Sequence, residues 1–130
     1  MPVLLDTTVL IDVLRGRPGT IERLRSLRRR TGVPYTTAIN VEEIHRGLRA
    51  NEKPTAGQLF DGLRILEIGR QQGEIAGQWR RDHATSGITL AQADCLIAAA
   101  AVTIAVPLAT GNPKHFPMRE LDLQHWPVGT

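Results

Sequence analysis

Short apolar runs alternate with longer helix-like segments along this chain. The apolar runs cover residues 3–5, 33–36, 65–68 and 106–109. Each run has the length of a buried strand, and the segments between the runs carry apolar residues at helical spacing. Strands that alternate with helices join in parallel, because the helix carries the chain back across the sheet. We therefore predict an α/β protein whose parallel sheet is covered by helices on both faces.

Capping residues and periodicity indicate where the helices lie. We predict helices over residues 9–14, from the cap Thr20 to Gly32, over 41–49, from Pro54 onward, over 70–85 and over 90–102. Thr89 and Gln92 have the spacing of a capping box at the last of these helices. Beyond residue 113 the chain is predicted to be irregular, with a short strand at 121–123.

The length and composition are typical of one globular domain. The chain has 130 residues, 42% apolar and 22% charged, with a single cysteine. One cysteine excludes a disulfide framework and a cysteine-based zinc site. The longest apolar stretch, residues 95–109, is interrupted by Thr103 and Pro107 and is too short to cross a bilayer. With no basic leader at the N-terminus, we expect residues 1–130 to form one cytoplasmic domain.

Positive charge is concentrated in one segment. Residues 15–30 contain seven arginines and one acid, Glu22, a local charge of +6, whereas the net charge of the chain is +3. The structural explanation of this cluster of arginines is a helix face exposed to solvent. The functional alternatives are nucleic acid or an acidic protein partner.

Two aspartates lie in apolar surroundings. Asp94 stands in the segment AQADCLIAAAAV, where burial is costly unless the carboxylate is paired, protonated or bound to a cation. Spacing alone does not separate a hydrogen-bonded structural aspartate from a site residue. Asp6 ends the first predicted strand, where an ordinary helix N-cap is the alternative to a site residue.

Glu42 and Glu43 flank the apolar stripe of the third predicted helix about equally. Periodicity therefore does not choose between them. Glu43 also has a structural alternative, because an N-cap at Asn40 would place it three residues later, at the spacing of a capping box.

Carboxylates at neighbouring strand ends suggest a metal site. Crowded carboxylates raise one another's pKa, and a hard divalent cation relieves that repulsion. Mg²⁺ and Mn²⁺ prefer oxygen ligands and assist hydrolysis at phosphorus. The four histidines lack the H-x-x-x-H spacing of a zinc site, and no Walker loop is present.

Four segments carry a resemblance to a known family: VLLDTTVLID at 3–12, EIHRG at 43–47, ADCLIAAAA at 93–101 and LATGNPKHF at 108–116. In this order they resemble the PIN-domain ribonucleases, and most closely the VapC toxins of prokaryotic toxin–antitoxin pairs. The resemblance implies a three-layer α/β/α sandwich with a mainly parallel sheet. It implies an acidic pocket for Mg²⁺ or Mn²⁺ and endonucleolytic hydrolysis of RNA. It also implies a small antitoxin protein that blocks the active site, in a homodimer or a toxin–antitoxin hetero-oligomer.

The resemblance assigns the catalytic and metal-binding residues. They are Asp6, Glu43, Asp94 and Asn112. Glu43 is preferred to Glu42 because the family's second acid directly precedes Leu or Ile and has Gly four residues on, as Ile44 and Gly47 are placed here. Relatives carry Asp or Asn at the position of Asn112.

Other residues near these motifs have narrower expectations. By resemblance, Thr8 supports the first acid, and Gly111 stands where relatives often carry an arginine that contacts phosphate. We expect His115 to pack in a turn, and Asp12 to pair with Arg15 one helical turn away. The alternative to a nuclease is a catalytically silent PIN-like module that binds RNA or protein, in which the acids act as caps and structural pairs.

Overall fold

A pair of helices follows each of the first three strands along the chain. The computed structural model describes residues 1–130. The strands are β1 (Leu4–Leu5), β2 (Tyr35–Thr37), β3 (Arg64–Leu66), β4 (Leu108–Thr110) and β5 (Leu123–His125). The helices are α1 (Thr7–Leu14), α2 (Pro18–Thr31), α3 (Ala38–Arg46), α4 (Lys53–Asp61), α5 (Arg70–Ala84) and α6 (Gln92–Thr103), and a 3₁₀ turn covers Pro113–His115. No helix is both long enough and apolar enough to cross a membrane.

All five strands form one parallel sheet in the order β3-β2-β1-β4-β5. The central strand is β1, in which Leu4 pairs with Tyr35 on one side and with Leu108 on the other. The chain winds outward from β1 through β2 and β3, then crosses to the other side of β1 for β4 and β5. Because the winding reverses between β1 and β4, a crevice opens at the carboxyl ends of these two strands.

A hydrophobic core covers each face of the sheet. Leu4 packs with Trp79 and Ile97, which belong to α5 and α6. Its neighbour Leu5 faces the opposite side and packs with Leu10 of α1. Successive strand residues point to opposite faces, so the short apolar run of β1 serves both cores. The predicted three-layer α/β/α arrangement is confirmed.

Helix α6 is the most deeply buried helix because its sequence is apolar on nearly every side. Its buried residues are Cys95, Ile97, Ala98, Ala99, Ala100 and Ala101. Small alanine side chains let this helix pack closely in the core that also contains Leu4 and Leu108 of the sheet and Trp79 of α5. Asp94 lies in the first turn of α6, at the end that reaches the carboxyl edge of the sheet.

Four predicted helix starts are wrong. Helix α1 begins at Thr7, two residues before the predicted start, because Asp6 is its N-cap. Helix α2 begins at Pro18, whose fixed φ suits a first turn, and Thr20 is buried inside the helix rather than capping it. Helix α6 follows an irregular segment, and its N-cap is Ala91 with no side-chain hydrogen bond, so the Thr89 capping box does not form. Helix α3 begins at Ala38, three residues before the predicted start. Strand positions differ from the prediction by one or two residues.

The predicted pair of Asp12 and Arg15 is also wrong. Asp12 is buried, and its Oδ2 accepts a hydrogen bond from the backbone N of Gly129 at 2.9 Å. The guanidinium of Arg15 pairs with Glu52 instead, with Nε 3.1 Å from Oε2. Asp12 therefore fastens residues 126–130 against α1, a contact between residues too distant in sequence for helical spacing to suggest.

Candidate active site

Asp6 lies in the crevice between β1 and α1. It is the N-cap of α1, although its side chain makes no capping hydrogen bond. The carboxylate is instead directed to its neighbours: Thr110 Oγ1 donates to Oδ2 at 2.7 Å, and Asn40 Nδ2 lies 3.5 Å from Oδ1. The cap position is thus occupied by an acid whose oxygens are held by β4 and α3.

The surroundings of Asp6 favour its protonated form. Burial raises the pKa of the Asp6 carboxyl, and the hydrogen bonds from Thr110 and from the backbone of Thr7 oppose this rise. The negative charges of Asp94 and Glu43 raise the pKa further. Three carboxylates from separate elements are therefore close enough to affect one another electrostatically.

Glu43 is held by a hydrogen-bonded chain that begins at Asn40. The side-chain amide of Asn40 donates from Nδ2 to Thr7 Oγ1 at 2.9 Å, and Thr7 Oγ1 donates to Glu43 Oε1 at 2.7 Å. Because Thr37 is the N-cap of α3 and Asn40 completes that capping box, the predicted box of Asn40 with Glu43 is wrong. Glu43 therefore takes no part in the N-terminal capping of α3.

Glu42 points to a different partner. It is exposed, and its Oε1 lies 3.4 Å from Nη1 of Arg46 one turn along α3. It does not belong to the cavity that contains Glu43. Geometry thus separates the two glutamates that periodicity could not distinguish.

Asp94 is half-buried and faces His115. Burial raises the pKa of Asp94, the charge of His115 lowers it, and the charge of Glu43 raises it. His115 Nδ1 lies 3.6 Å from Asp94 Oδ2, and the His115 side chain is 58% exposed. The expectation that His115 packs in a turn is wrong, because the 3₁₀ turn presents its ring to the site.

Asn112 lies at the rim, directly after β4. Its backbone N donates to Thr110 Oγ1 at 3.0 Å, so Thr110 connects Asn112 with Asp6. Thr8 does not contact Asp6 as expected; its Oγ1 accepts the backbone N–H of Gly111 at 2.8 Å. The support expected from Thr8 comes from Thr110.

One cavity of about 430 Å³ brings all four predicted residues together: Asp6, Glu43, Asp94 and Asn112. Thr7, Arg46 and His115 also line it. Its carboxylates do not converge on one point, since no group of three His, Cys, Asp or Glu side chains is positioned to hold a metal ion. Glu43 and Asp94 are instead turned toward Thr7 and His115 respectively.

Five of the seven arginines of residues 15–30 pair with a carboxylate, a hydroxyl or a backbone carbonyl of the chain itself. The Arg23 guanidinium lies 4.5 Å from the ring centre of Trp126 and donates to the carbonyl of His125. Arg28 donates to the carbonyl of Gly62 at 2.8 Å. These arginines stabilise contacts with β5 and with the turn before β3, which favours the structural explanation of the basic segment.

Sequence reasoning missed Asn40, Thr7 and Thr110 as residues that hold the acids. The only local signal was the spacing of Thr37 and Asn40, which is that of a capping box. Thr7 and Glu43 are 36 positions apart, and Thr110 and Asp6 are 104 apart, so no short-range pattern connects them.

Comparison with known proteins gives consistent matches over nearly the whole chain. The model of the PIN domain family matches residues 3–120. Ribonuclease VapC10 of Mycobacterium tuberculosis is 33% identical over 122 residues, which cover 91% of this chain and 88% of that protein.

Solved structures with a similar fold also match nearly the whole chain. FitAcB from Neisseria gonorrhoeae superimposes with a TM-score of 0.78 at 28% identity, covering 93% of this chain and 95% of that one. A toxin–antitoxin complex from Klebsiella pneumoniae gives a TM-score of 0.80 at 20% identity, covering 97% and 99%, which is a likeness of fold.

Proposed function

We propose that this chain is a metal-dependent endoribonuclease and the toxin of a VapBC-type toxin–antitoxin pair. The premise is that the chain belongs to the PIN domain family. One observation carries the proposal: Asp6, Glu43, Asp94 and Asn112 come from four separate segments and line a single cavity. The similarity to a protein named ribonuclease VapC10 supports the same activity.

The donor set fits a hard divalent cation. Three carboxylates and one amide oxygen are the ligand types that Mg²⁺ and Mn²⁺ prefer, and no cysteine lies in the cavity to favour a softer metal. Burial and mutual repulsion disfavour the charges of Asp6 and Asp94, and a cation would relieve both effects. Asp6, Glu43, Asp94 and Asn112 would hold it directly or through bridging water, which Mg²⁺ commonly keeps; water would serve Glu43 and Asp94, whose carboxylates are turned toward Thr7 and His115. When bound, the cation would acidify a water molecule and neutralise charge at phosphorus.

Hydrogen bonds from neighbouring side chains hold the two carboxylates Asp6 and Glu43 in position. Thr110 fixes the Asp6 carboxylate, and the chain from Asn40 through Thr7 fixes Glu43. The Thr7 hydroxyl is occupied in that chain, and the cavity contains no other activated side-chain nucleophile. Water is therefore the proposed nucleophile, the 3′-oxygen leaves, and the products carry 5′-phosphate and 3′-hydroxyl ends. Single-stranded or looped RNA is the proposed substrate, because its bases can be splayed out.

The proposed partner is a small antitoxin protein that covers this cavity. The assignment follows from the resemblance to the VapC toxins, and the Klebsiella pneumoniae toxin–antitoxin complex shares the fold of this chain. A homodimer or a toxin–antitoxin hetero-oligomer is the proposed assembly. Growth arrest on expression without the antitoxin, and relief on co-expression, would distinguish a toxin from an RNA-binding module.

The direct test is cleavage of a mixed RNA pool by purified protein with Mg²⁺ or Mn²⁺. We expect cutting by the wild type and loss of cutting in Asp94→Asn and in EDTA. Asp61→Asn is the matched control, because it removes the same charge from an exposed position outside the cavity. If the wild type binds RNA but cuts no pool with either metal, the silent binding module replaces the nuclease.

A further inference from the structure

Three neighbouring cavities meet at His115. The cavity that contains the carboxylates shares Ala91, Asp94 and His115 with a second cavity of about 260 Å³. It shares Asn112 and His115 with a third cavity of about 350 Å³. The second and third cavities also share Lys114. Together the three form a continuous surface on which a ligand larger than one phosphate would lie.

The second cavity, called the apolar pocket below, has mixed walls. Ile88, Leu90 and Pro117 form its apolar side, and Thr89, Lys114 and His115 add polar groups. Its volume of about 260 Å³ is below the range of about 300–1,000 Å³ typical of pockets for drug-sized ligands. This size and this combination of walls suit one planar, polar-edged ring.

The exposed isoleucine at the mouth of the apolar pocket is held firmly. Ile88 is 43% exposed, although a large apolar side chain at the surface gains little by being there. Gly87, with φ +76°, makes the preceding turn, and the backbone N of Ile88 donates to the carbonyl of His83 at 2.9 Å. Arg80 Nε donates to the carbonyl of Leu90 at 3.1 Å. The segment is therefore braced from α5 while Ile88 faces the cavity.

The third cavity, called the basic pocket below, contains no carboxylate, and Pro113 is its one apolar side chain. Gly111, Asn112, Pro113, Lys114, His115 and His125 line it. Lys114 is exposed and has no carboxylate partner within salt-bridge distance. An anionic group is the ligand that such walls favour.

We infer that the apolar pocket receives the nucleobase beside the cleaved phosphodiester and that the basic pocket receives the phosphate on the other side. The inference rests on the proposed function and adds a base-specific contact to it. The carboxylate cavity borders the apolar pocket at Ala91 and Asp94, and it borders the basic pocket at Asn112. Lys114 and His115 line both outer pockets. An RNA strand whose cleaved phosphate lies at the carboxylates would therefore meet an apolar wall for one base and basic groups for a neighbouring phosphate. A base can enter the apolar pocket only if it is unstacked, so single-stranded RNA is required.

Binding to a protein that does not cut tests the base contact. Asp94→Asn protein is titrated, by fluorescence anisotropy, with labelled pentaribonucleotides of each base and with versions that lack one base at each position. We expect removal of one particular base to weaken binding roughly tenfold. Adding Ile88→Ala should weaken binding of the intact strand similarly and abolish the difference between intact and abasic strands.

A matched variant controls for loss of exposed apolar surface. Ile65 is 44% exposed and lies on β3, outside all three cavities, so Ile65→Ala should leave the base dependence unchanged. Because both isoleucines are nearly half exposed, folding should survive either truncation, and urea unfolding checks this.

The two lysines of the chain provide the control for the phosphate contact. Lys114→Ala should reduce the slope of log K against log salt by about 0.7, the value for one phosphate contact on a single strand. Lys53→Ala removes the same charge from an exposed position at the start of α4 and should leave the slope unchanged.

The outcomes separate this inference from the proposed function. If binding depends on one base and needs Ile88, but the wild type cuts no RNA with Mg²⁺ or Mn²⁺, the pocket is supported and the nuclease is refuted. If the wild type cuts RNA but no missing base weakens binding, the pocket is refuted and the nuclease stands. The same holds if Ile88→Ala and Ile65→Ala change RNA affinity equally. If Ile88→Ala weakens only the complex with the antitoxin, the pocket serves a protein side chain and the inference is wrong.

Discussion

Gly111→Ala is expected to destabilise the fold through a steric clash. An ideal Cβ at this position would lie 2.4 Å from Val128 Cγ2, 3.2 Å from the carbonyl oxygen of Trp126 and 3.3 Å from Thr8 Oγ1. Gly111 is not among the glycines with positive φ, so its backbone is accessible to alanine and only the contacts oppose the change.

The size of the effect depends on which neighbour can move. Val128 is 60% exposed and its side chain can shift. The Trp126 carbonyl is less free, because the backbone N of Trp126 donates to the carbonyl of Thr110 at 2.9 Å. Overpacking of this kind costs about 1–3 kcal/mol, and the mobile Val128 places the effect near about 1–2 kcal/mol. For a chain of this length that corresponds to a Tm lower by about 4–7 °C.

Two further variants make the test specific. Gly77 lies within α5 with nothing within 4 Å of an added Cβ, so Gly77→Ala should instead raise stability by about 0.5–1 kcal/mol. Adding Val128→Ala to Gly111→Ala removes the shortest contact and should restore most of the lost stability. Thermal and urea unfolding measure all three. A Gly111→Ala protein as stable as the wild type would show that residues 126–128 do not pack over Gly111.

Three other predictions concern the acids and the residues that hold them. The pKa of Asp6 is raised in the folded state, so the folded protein binds this proton more tightly than the unfolded chain does. Asp6 therefore destabilises the fold as pH rises through the raised pKa. Without metal, Asp6→Asn should have a higher urea midpoint than the wild type at pH 7, and the difference should close toward pH 3. Thr7→Val breaks the hydrogen bond to Glu43 and should lower kcat/KM for RNA by roughly tenfold or more, whereas Thr7→Ser should not. Asp12→Ala removes the acceptor of the Gly129 N–H and should cost about 1–3 kcal/mol in urea unfolding, whereas Asp12→Asn, which keeps a side-chain oxygen, should lose less.

The sequence predicted those features that depend on neighbouring residues. Alternating apolar runs and helical stripes gave the parallel α/β architecture, because burial on both faces leaves no other arrangement for such runs. Helix α5 was predicted at residues 70–85 and is found at Arg70–Ala84, since both of its ends are marked by glycine nearby. Asp6 was located because the apolar run of β1 stops at that residue.

Features that depend on distant partners were not predictable from spacing. Asp12 and Arg15 have a favourable helical spacing, yet each finds a better partner elsewhere: Gly129 for Asp12 and Glu52 for Arg15. Asn40 is a residue type that is common at the N-cap, but Thr37, the last residue of β2, is the N-cap of α3, and Asn40 is the third helical residue. Local preference is weak compared with these tertiary contacts.

The positions of the acids and the proposed choice of substrate depend on different parts of the molecule. Asp6 and Asp94 are fixed by elements that the core requires: β1 at the centre of the sheet, and α6, whose alanines pack against it. The N-terminus of α6 also favours a negative charge in its first turn, where Asp94 lies. Ile88 and Lys114 are exposed and belong to neither core, although Leu90 and Phe116 of the same connections do, so these two side chains can vary with little loss of stability. A chain built in this way can keep one acidic centre while the connections around it change which RNA is bound. Variants of the apolar pocket should therefore alter RNA specificity far more than the free energy of unfolding.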